Sequence, residues 1–233
     1  MNLNNIFDIE SFMMKVGMNG SINQETLSKL NLDVIVLDVD GVLLDFNGGF
    51  KKTAQNILGK EIFDVKRSYS LKERYALTEK EHKAVWTEMD KRGLGELPML
   101  PNADIAFNMI KEAGFKIHLV TGIWEESKGL RLENLAAYNM YPDGIDCIGD
   151  GITRKDSFIQ KVKPIAFVDD RLQHINDNLA VPIRCWIDHN EDQFGLTEEH
   201  VTYKTDNVFK WARSCGLFDK IETTPKVNRK LKF

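Results

Sequence analysis

Residues 33–46 read DVIVLDVDGVLLDF. The β-branched, apolar run Asp33–Asp38 is too short for a helix and is ended by Gly41, which predicts a buried strand. Beyond it, NGGFKKTAQNILG places Phe50, Ala54, Ile57 and Leu58 at helical spacing before Gly59, predicting a helix straight after the first loop. From about residue 60 to residue 98 the pattern stays helical and charged. Its clearest helix opens with the capping box Thr78-x-x-Glu81, carries Val85, Trp86 and Met89 on one face, and closes at Lys91, Arg92 and Gly93. Gly95–Pro101 (GELPMLP) then reads as a linker, since two closely spaced prolines break both helix and sheet.

After the linker, helix and strand alternate. Asn102 caps a helix with Ile105, Ala106, Met109 and Ile110 inward and Gly114 at its stop, and the strand Lys116–Thr121 (KIHLVT) follows. Next come a helix over about 125–137, a short strand Ile145–Ile148, a helix over about 155–162 and the strand Ile165–Val168. A helix over Arg171–Asn178, a strand Pro182–Ile187 and a helix over Asn207–Cys215 complete the series. Strands separated by helices of this length predict an α/β fold, a Rossmann-like parallel sheet flanked by helices, with a small helical insertion after the first strand. The expected division is an α/β core from residues 31–45 and 99–222, a helical segment over 46–98, an N-terminal helical extension over 1–30 and a basic tail over 223–233 that frays.

Composition narrows the function. The 233 residues suffice for a substantial core, and 31 Lys plus Arg against 35 Asp plus Glu give a net charge of −4. That balance argues against nucleic acid or an anionic membrane surface as partner. Apolar runs such as Val34–Leu37 fall far short of the roughly 20 residues of a membrane span. No basic segment followed by an unbroken apolar stretch is visible at the N-terminus, so the expected location is cytoplasmic. Cys147, Cys185 and Cys215 are odd in number and widely spaced, which suits reduced thiols. The N-terminal extension or the helical segment could also mediate a homo-oligomer.

In an open parallel sheet, ligands bind where the strands end. The first strand ends in Asp38-Val39-Asp40-Gly41, the second in Thr121-Gly122 and the fourth in Asp169-Asp170. Four carboxylates at one sheet edge repel unless a cation joins them, and oxygen ligands suit Mg²⁺. A calcium loop is excluded, because the twelfth position from Asp38 is Gly49 rather than Glu. The side chains of Asp38 and Asp40, two residues apart in an extended segment, share a face and can address one group.

The ordered set VIVLDVDGVLLDF, HLVTG, a Lys and IAFVDD resembles the four motifs of the haloacid dehalogenase (HAD) superfamily phosphatases over roughly Asp33–Ile187. The helical segment stands where that superfamily places a type-one cap. The resemblance implies Asp38 as nucleophile forming an aspartyl-phosphate, and Asp40 as general acid and then base. It implies Mg²⁺ held by Asp38, the Asp40 carbonyl, Asp169 and Asp170, and phosphate oxygens held by Thr121, the Gly122 N–H and a cation. Lys155 is assigned as that cation because it opens the helix leading to the Ile165 strand, in a stretch that also holds Arg154, Lys161 and Lys163. An alternative alignment would use Ile148-Gly149-Asp150-Gly151 with Lys128; IAFVDD is preferred for its stronger preceding strand. Asp40 favours phosphoryl chemistry, since cleavage of a carbon–halogen bond needs no proton on the leaving group.

The activity implied is a Mg²⁺-dependent phosphomonoester hydrolase of the HAD-like type, acting on a small phosphorylated metabolite: a sugar phosphate, phosphoglycolate or a nucleotide. A phosphotransferase or mutase on the same scaffold, and a non-catalytic phosphate-binding regulator, are the alternatives. Specificity is expected in the cap. Phe46, Asn47, Arg67, Tyr69, Arg74 and Trp124 could reach a substrate but read first as packing or surface residues. His118 reads as a core or interface residue, and His174 as structural although closer to the cleft.

Overall fold

The computed structural model describes residues 28–149, 155–191, 193 and 195–217. The expected N-terminal extension falls almost wholly, and the basic tail wholly, outside these. Six strands form one parallel sheet in the order β3-β2-β1-β4-β5-β6, with β1 Asn31–Leu37, β2 Lys116–Thr121, β3 Gly144–Cys147, β4 Pro164–Asp169, β5 Ile183–Ile187 and β6 Tyr203–Thr205. Alternation decides which layer each residue enters. Ile35 and Leu37 face one core with Leu119, Ala166 and Val168, whereas Val36 faces the other with Val120 and Phe167. Burial on both faces is why β1 and β4 read as unbroken apolar runs.

Between β1 and β2 lie α1 (Phe46–Leu58), α2 (Leu71–Arg74), α3 (Glu79–Lys91) and α4 (Ala103–Glu112). After β2 come α5 (Lys128–Ala137), α6 (Asp156–Val162), α7 (Leu172–Asp177) and α8 (Val208–Ser214). Asp45 caps α1 by accepting from the Gly48 N–H, and Gly59 ends it in the left-handed conformation at φ 61°. The helices α1 and α3 pack through Phe50, Ala54, Val85 and Met89, with Phe46, Phe50 and Trp86 in ring contact.

Five expectations need adjustment. Ile105, expected inward on α4, is 46% exposed, and Phe107 is buried in its place. Residues 59–70 form no helix, so the insertion holds less helix than the charge pattern implied. Asn102 makes no side-chain cap, since at φ 61° it lacks the extended backbone that directs a cap side chain to the helix. The helix expected to open at 125 begins with a 3-10 turn, Glu125–Ser127. The strand β6 was missed, because three residues are too few to carry a period.

Candidate active site

Parallel pairing sends every strand's carboxyl end to one edge. The order turns in opposite directions from β1 and β4, so the crevice opens between them. The ladder extends one step past β1, with the Asp38 N–H donating to the Val168 carbonyl at 2.9 Å. Asp38 and Asp169 are thereby brought side by side, both buried. Lys155, immediately before α6 and 2% exposed, lies between them. Its Nζ stands 2.7 Å from Asp38 Oδ2 and 2.8 Å from Asp169 Oδ2. Burial opposes the ammonium's charge, but Asp169 and Asp38 together hold its pKa above the ordinary lysine value.

Asp169 is held further by the Arg171 N–H at 2.8 Å and by His174 Nδ1 at 3.1 Å. Burial works to raise its pKa, and Lys155 and His174 outweigh that, keeping the carboxylate ionised. For Asp38 the balance goes the other way: burial, with Asp169 and Asp40 nearby, pushes it up to about 7 despite Lys155. Asp170 is also pushed well up, first by burial and then by Asp169 and Asp38. Its carboxyl rests against Gly41, where a Cβ would lie 2.3 Å from Asp170 Oδ2; with φ at +77°, that position needs glycine on both counts.

Burial is the first cause of both raised values, and the neighbouring carboxyls add to it. Asp38, Asp169 and Asp170 each offer an oxygen, all within 4.8 Å of one another. That donor set fits a hard divalent cation.

The remaining positions fall into two tiers. Asp38, Asp40, Gly122, Lys155 and Asp170 line one cavity of about 860 Å³. Thr121 and Asp169 lie behind its wall, each 0% exposed, and the Thr121 hydroxyl has no hydrogen-bond partner among the described residues. Lys128 pairs with Glu125 at 2.9 Å and is absent from the cavity wall, and β3, the strand leading to Gly149, is separated from β1 by β2. Asp150 lies outside the described residues.

Sequence reasoning missed Arg131. Its guanidinium, 0% exposed, contacts Asp40 through Nη2, 2.8 Å from Oδ1. The available signal was a polar set on the inward face of α5: Arg131 and Asn134 are buried beside Leu135. Phe46, Asn47, Tyr69, Arg74 and Trp124, named from the sequence as able to reach a substrate but read first as packing or surface, line the cavity; Arg67 does not. His174, read as structural, bonds Asp169 and also lines the cavity. His118 pairs with Asp146 at 2.7 Å, away from the cavity.

No family model matches the sequence, and no curated protein matches it. Solved structures do match. A HAD family hydrolase from Deinococcus radiodurans R1, with bound phosphate and sodium, superposes at a TM-score of 0.55 and 12% identity, over 80% of this chain and 97% of its own. The fold is that of the haloacid dehalogenases. Two further structures agree: a predicted phosphoglycolate phosphatase from Haemophilus somnus 129pt, at 0.52 and 14% identity over 83% of this chain and 99% of its own, and a dehalogenase at 0.53 and 12% identity, over 78% and 96%. The HAD fold here carries phosphatases and a dehalogenase alike, so chemistry must be argued from the site. Among the described residues, no helix is long and apolar enough to cross a membrane.

Proposed function

We propose that the protein is a Mg²⁺-dependent phosphomonoester hydrolase working through Asp38. The observation that carries this reading is the gathering of Asp38, Asp40, Lys155 and Asp170 on the wall of one cavity, with Asp169 directly behind. The Asp38 carboxylate attacks phosphorus, forming an aspartyl-phosphate as the bond to the leaving oxygen breaks. Asp40 passes its proton to that oxygen, then accepts one from the water that attacks the aspartyl-phosphate; Asp38 is released as carboxylate with inorganic phosphate. Lys155 orients Asp38, and its ammonium sits where phosphate charge accumulates. The unpartnered Thr121 hydroxyl and the Gly122 N–H would take phosphate oxygens at the end of β2. Mg²⁺, held by Asp38, Asp169, Asp170 and the Asp40 carbonyl, would screen nucleophile from phosphate and stabilise developing charge.

The cavity wall favours a neutral, ring-bearing leaving group. Asp45, Asn47, Asp90 and Glu191 line it with hydrogen-bond acceptors. Arg74 has its charge taken by Glu191 at 2.6 Å, leaving it poorly placed to receive a second substrate anion such as a carboxylate. Two exposed aromatic rings line the same cavity, Tyr69 at 39% and Trp124 at 56%. The Trp124 ring suits stacking, worth about 1–3 kcal/mol per base, while the Tyr69 ring already carries the Arg171 guanidinium 4.4 Å from its centre. A nucleotide therefore fits better than phosphoglycolate.

The test is phosphate release from nucleoside monophosphates, sugar phosphates, phosphoglycolate and an aryl phosphate, with Mg²⁺ and with chelator, on wild type and Asp38→Asn. Expected is metal-dependent release, greatest with a nucleotide and lost in the variant. Release that survives Asp38→Asn would overturn the mechanism, and preference for phosphoglycolate would overturn the leaving-group class.

A further inference from the structure

We infer that Arg131 is a positioning residue for Asp40, an inference that rests on the hydrolase reading above. Its guanidinium is wholly buried, yet only Nη2 is engaged, 2.8 Å from Asp40 Oδ1 and 2.9 Å from Oδ2. Nε and Nη1 have no hydrogen-bond partner among the described residues. Desolvating a charge and leaving two of its nitrogens unbonded is unfavourable, and a methionine could fill a similar volume without that penalty. What the charge supplies in return is a hold on one carboxylate, 91 residues away in the chain, at the cavity wall.

Asp40 meets Nη2 of Arg131 with both oxygens and still reaches the cavity. Its side chain remains 22% exposed and lines the cavity, while Arg131 does not line it and stands behind. The helix that carries Arg131 is itself pinned: Asn134, one turn on, donates from Nδ2 to the Leu97 carbonyl at 3.0 Å. Asp40 lies beyond the end of β1, its backbone bridged to Leu44, and the hold on its carboxyl comes from Arg131. The carboxyl can then stay directed at the leaving oxygen, to give its proton as that oxygen departs with the P–O electron pair, and to take a proton back from the attacking water. Misplacing a general acid costs most where the leaving group needs a proton.

The experiment compares kcat/KM for an alkyl phosphomonoester and for an aryl phosphate with a strongly acidic leaving phenol. Wild type, Arg131→Met, Asp40→Asn and the double variant are measured. Arg131→Met is expected to lose about 100-fold on the alkyl ester and no more than about threefold on the aryl ester, copying Asp40→Asn. The double variant should be no worse than Asp40→Asn alone. Equal losses on both esters, or a further loss in the double variant, would overturn the positioning role and leave a structural one. Should Arg131→Met fail to fold, Arg131→Lys, which keeps the charge but not the reach, reads the same contrast. Activity retained by Asp38→Asn would instead overturn the hydrolase reading itself, so the two failures are distinguishable.

Discussion

The Lys155 ammonium bridges Asp38 and Asp169 at 2.7 and 2.8 Å with almost no exposure, so its removal would leave two buried carboxylates facing each other. Breaking a buried pair from one side costs about 3–5 kcal/mol. Lys155→Met is accordingly expected to lose about that much stability in chelator, measured by urea unfolding, and to recover part of it in Mg²⁺, which supplies the missing charge. Unchanged stability in chelator would show that the bridge does not balance the site. The same logic explains why Gly41 and Asp170 go together: the close approach of backbone to carboxyl that keeps Asp170 at the crevice leaves no room for a Cβ.

Among the elements, α3 has a start that local chemistry explains completely. The Thr78 side chain accepts from the Glu81 N–H, while the Glu81 carboxylate accepts from the Thr78 N–H at 2.9 Å. The Lys60 ammonium, together with that backbone bond, holds the Glu81 pKa down to about 2, below its ordinary 4.5. A depressed carboxylate contributes stability that is present above its unfolded pKa and is lost as pH falls through the folded value. The melting temperature of Glu81→Gln should thus lie below wild type at neutral pH, and the gap should close as pH falls from about 4.5 towards 2. A gap constant over that range would mean that the box acts without the charge. Thr78→Ala should cost about 1 kcal/mol.

At the scale of the whole molecule, the helical insertion is fastened to the core by contacts between segments far apart in sequence. Arg74 Nη2 meets Glu191 Oε1 at 2.6 Å, Asn47 Nδ2 donates to the same oxygen at 2.9 Å, and the Arg171 guanidinium lies 4.4 Å from the centre of the Tyr69 ring. These contacts border the cavity and set how the insertion faces Asp38. Arg74→Ala is expected to lower stability by about 2 kcal/mol, less than for a fully enclosed pair because about a tenth of each side chain is exposed. On the proposed function it should raise KM more than it lowers kcat, since the insertion supplies none of Asp38, Asp40, Lys155 or Asp169. Steady-state kinetics beside a melting curve checks this; a fall in kcat alone would place Arg74 in the chemistry instead.

How much of this was legible in the chain follows from range. The strand ending at Asp38, the strand Lys116–Thr121 and the capping box could be read because each depends on side chains a few positions apart on one backbone. The meeting of Asp38 with Asp169 was inferable at one remove, since parallel strands deliver their ends to a common edge. Lys155 followed from its place before α6, although only the folded chain selects it from its basic neighbours by the distances to both carboxylates. Arg131 on Asp40 and Arg74 on Glu191 could not be read, and the wall formed by Tyr69 and Trp124 could be read only as two residues able to reach a substrate. Each arises where α5, the insertion or the loops beyond β2 and β5 close upon the sheet, and no spacing along one segment encodes a contact that exists only after closure. Local periodicity determined the α/β order and put carboxylates at strand ends; the tertiary structure alone decided which charges are buried together, because desolvation and Coulomb energy depend on distance in space, not in sequence.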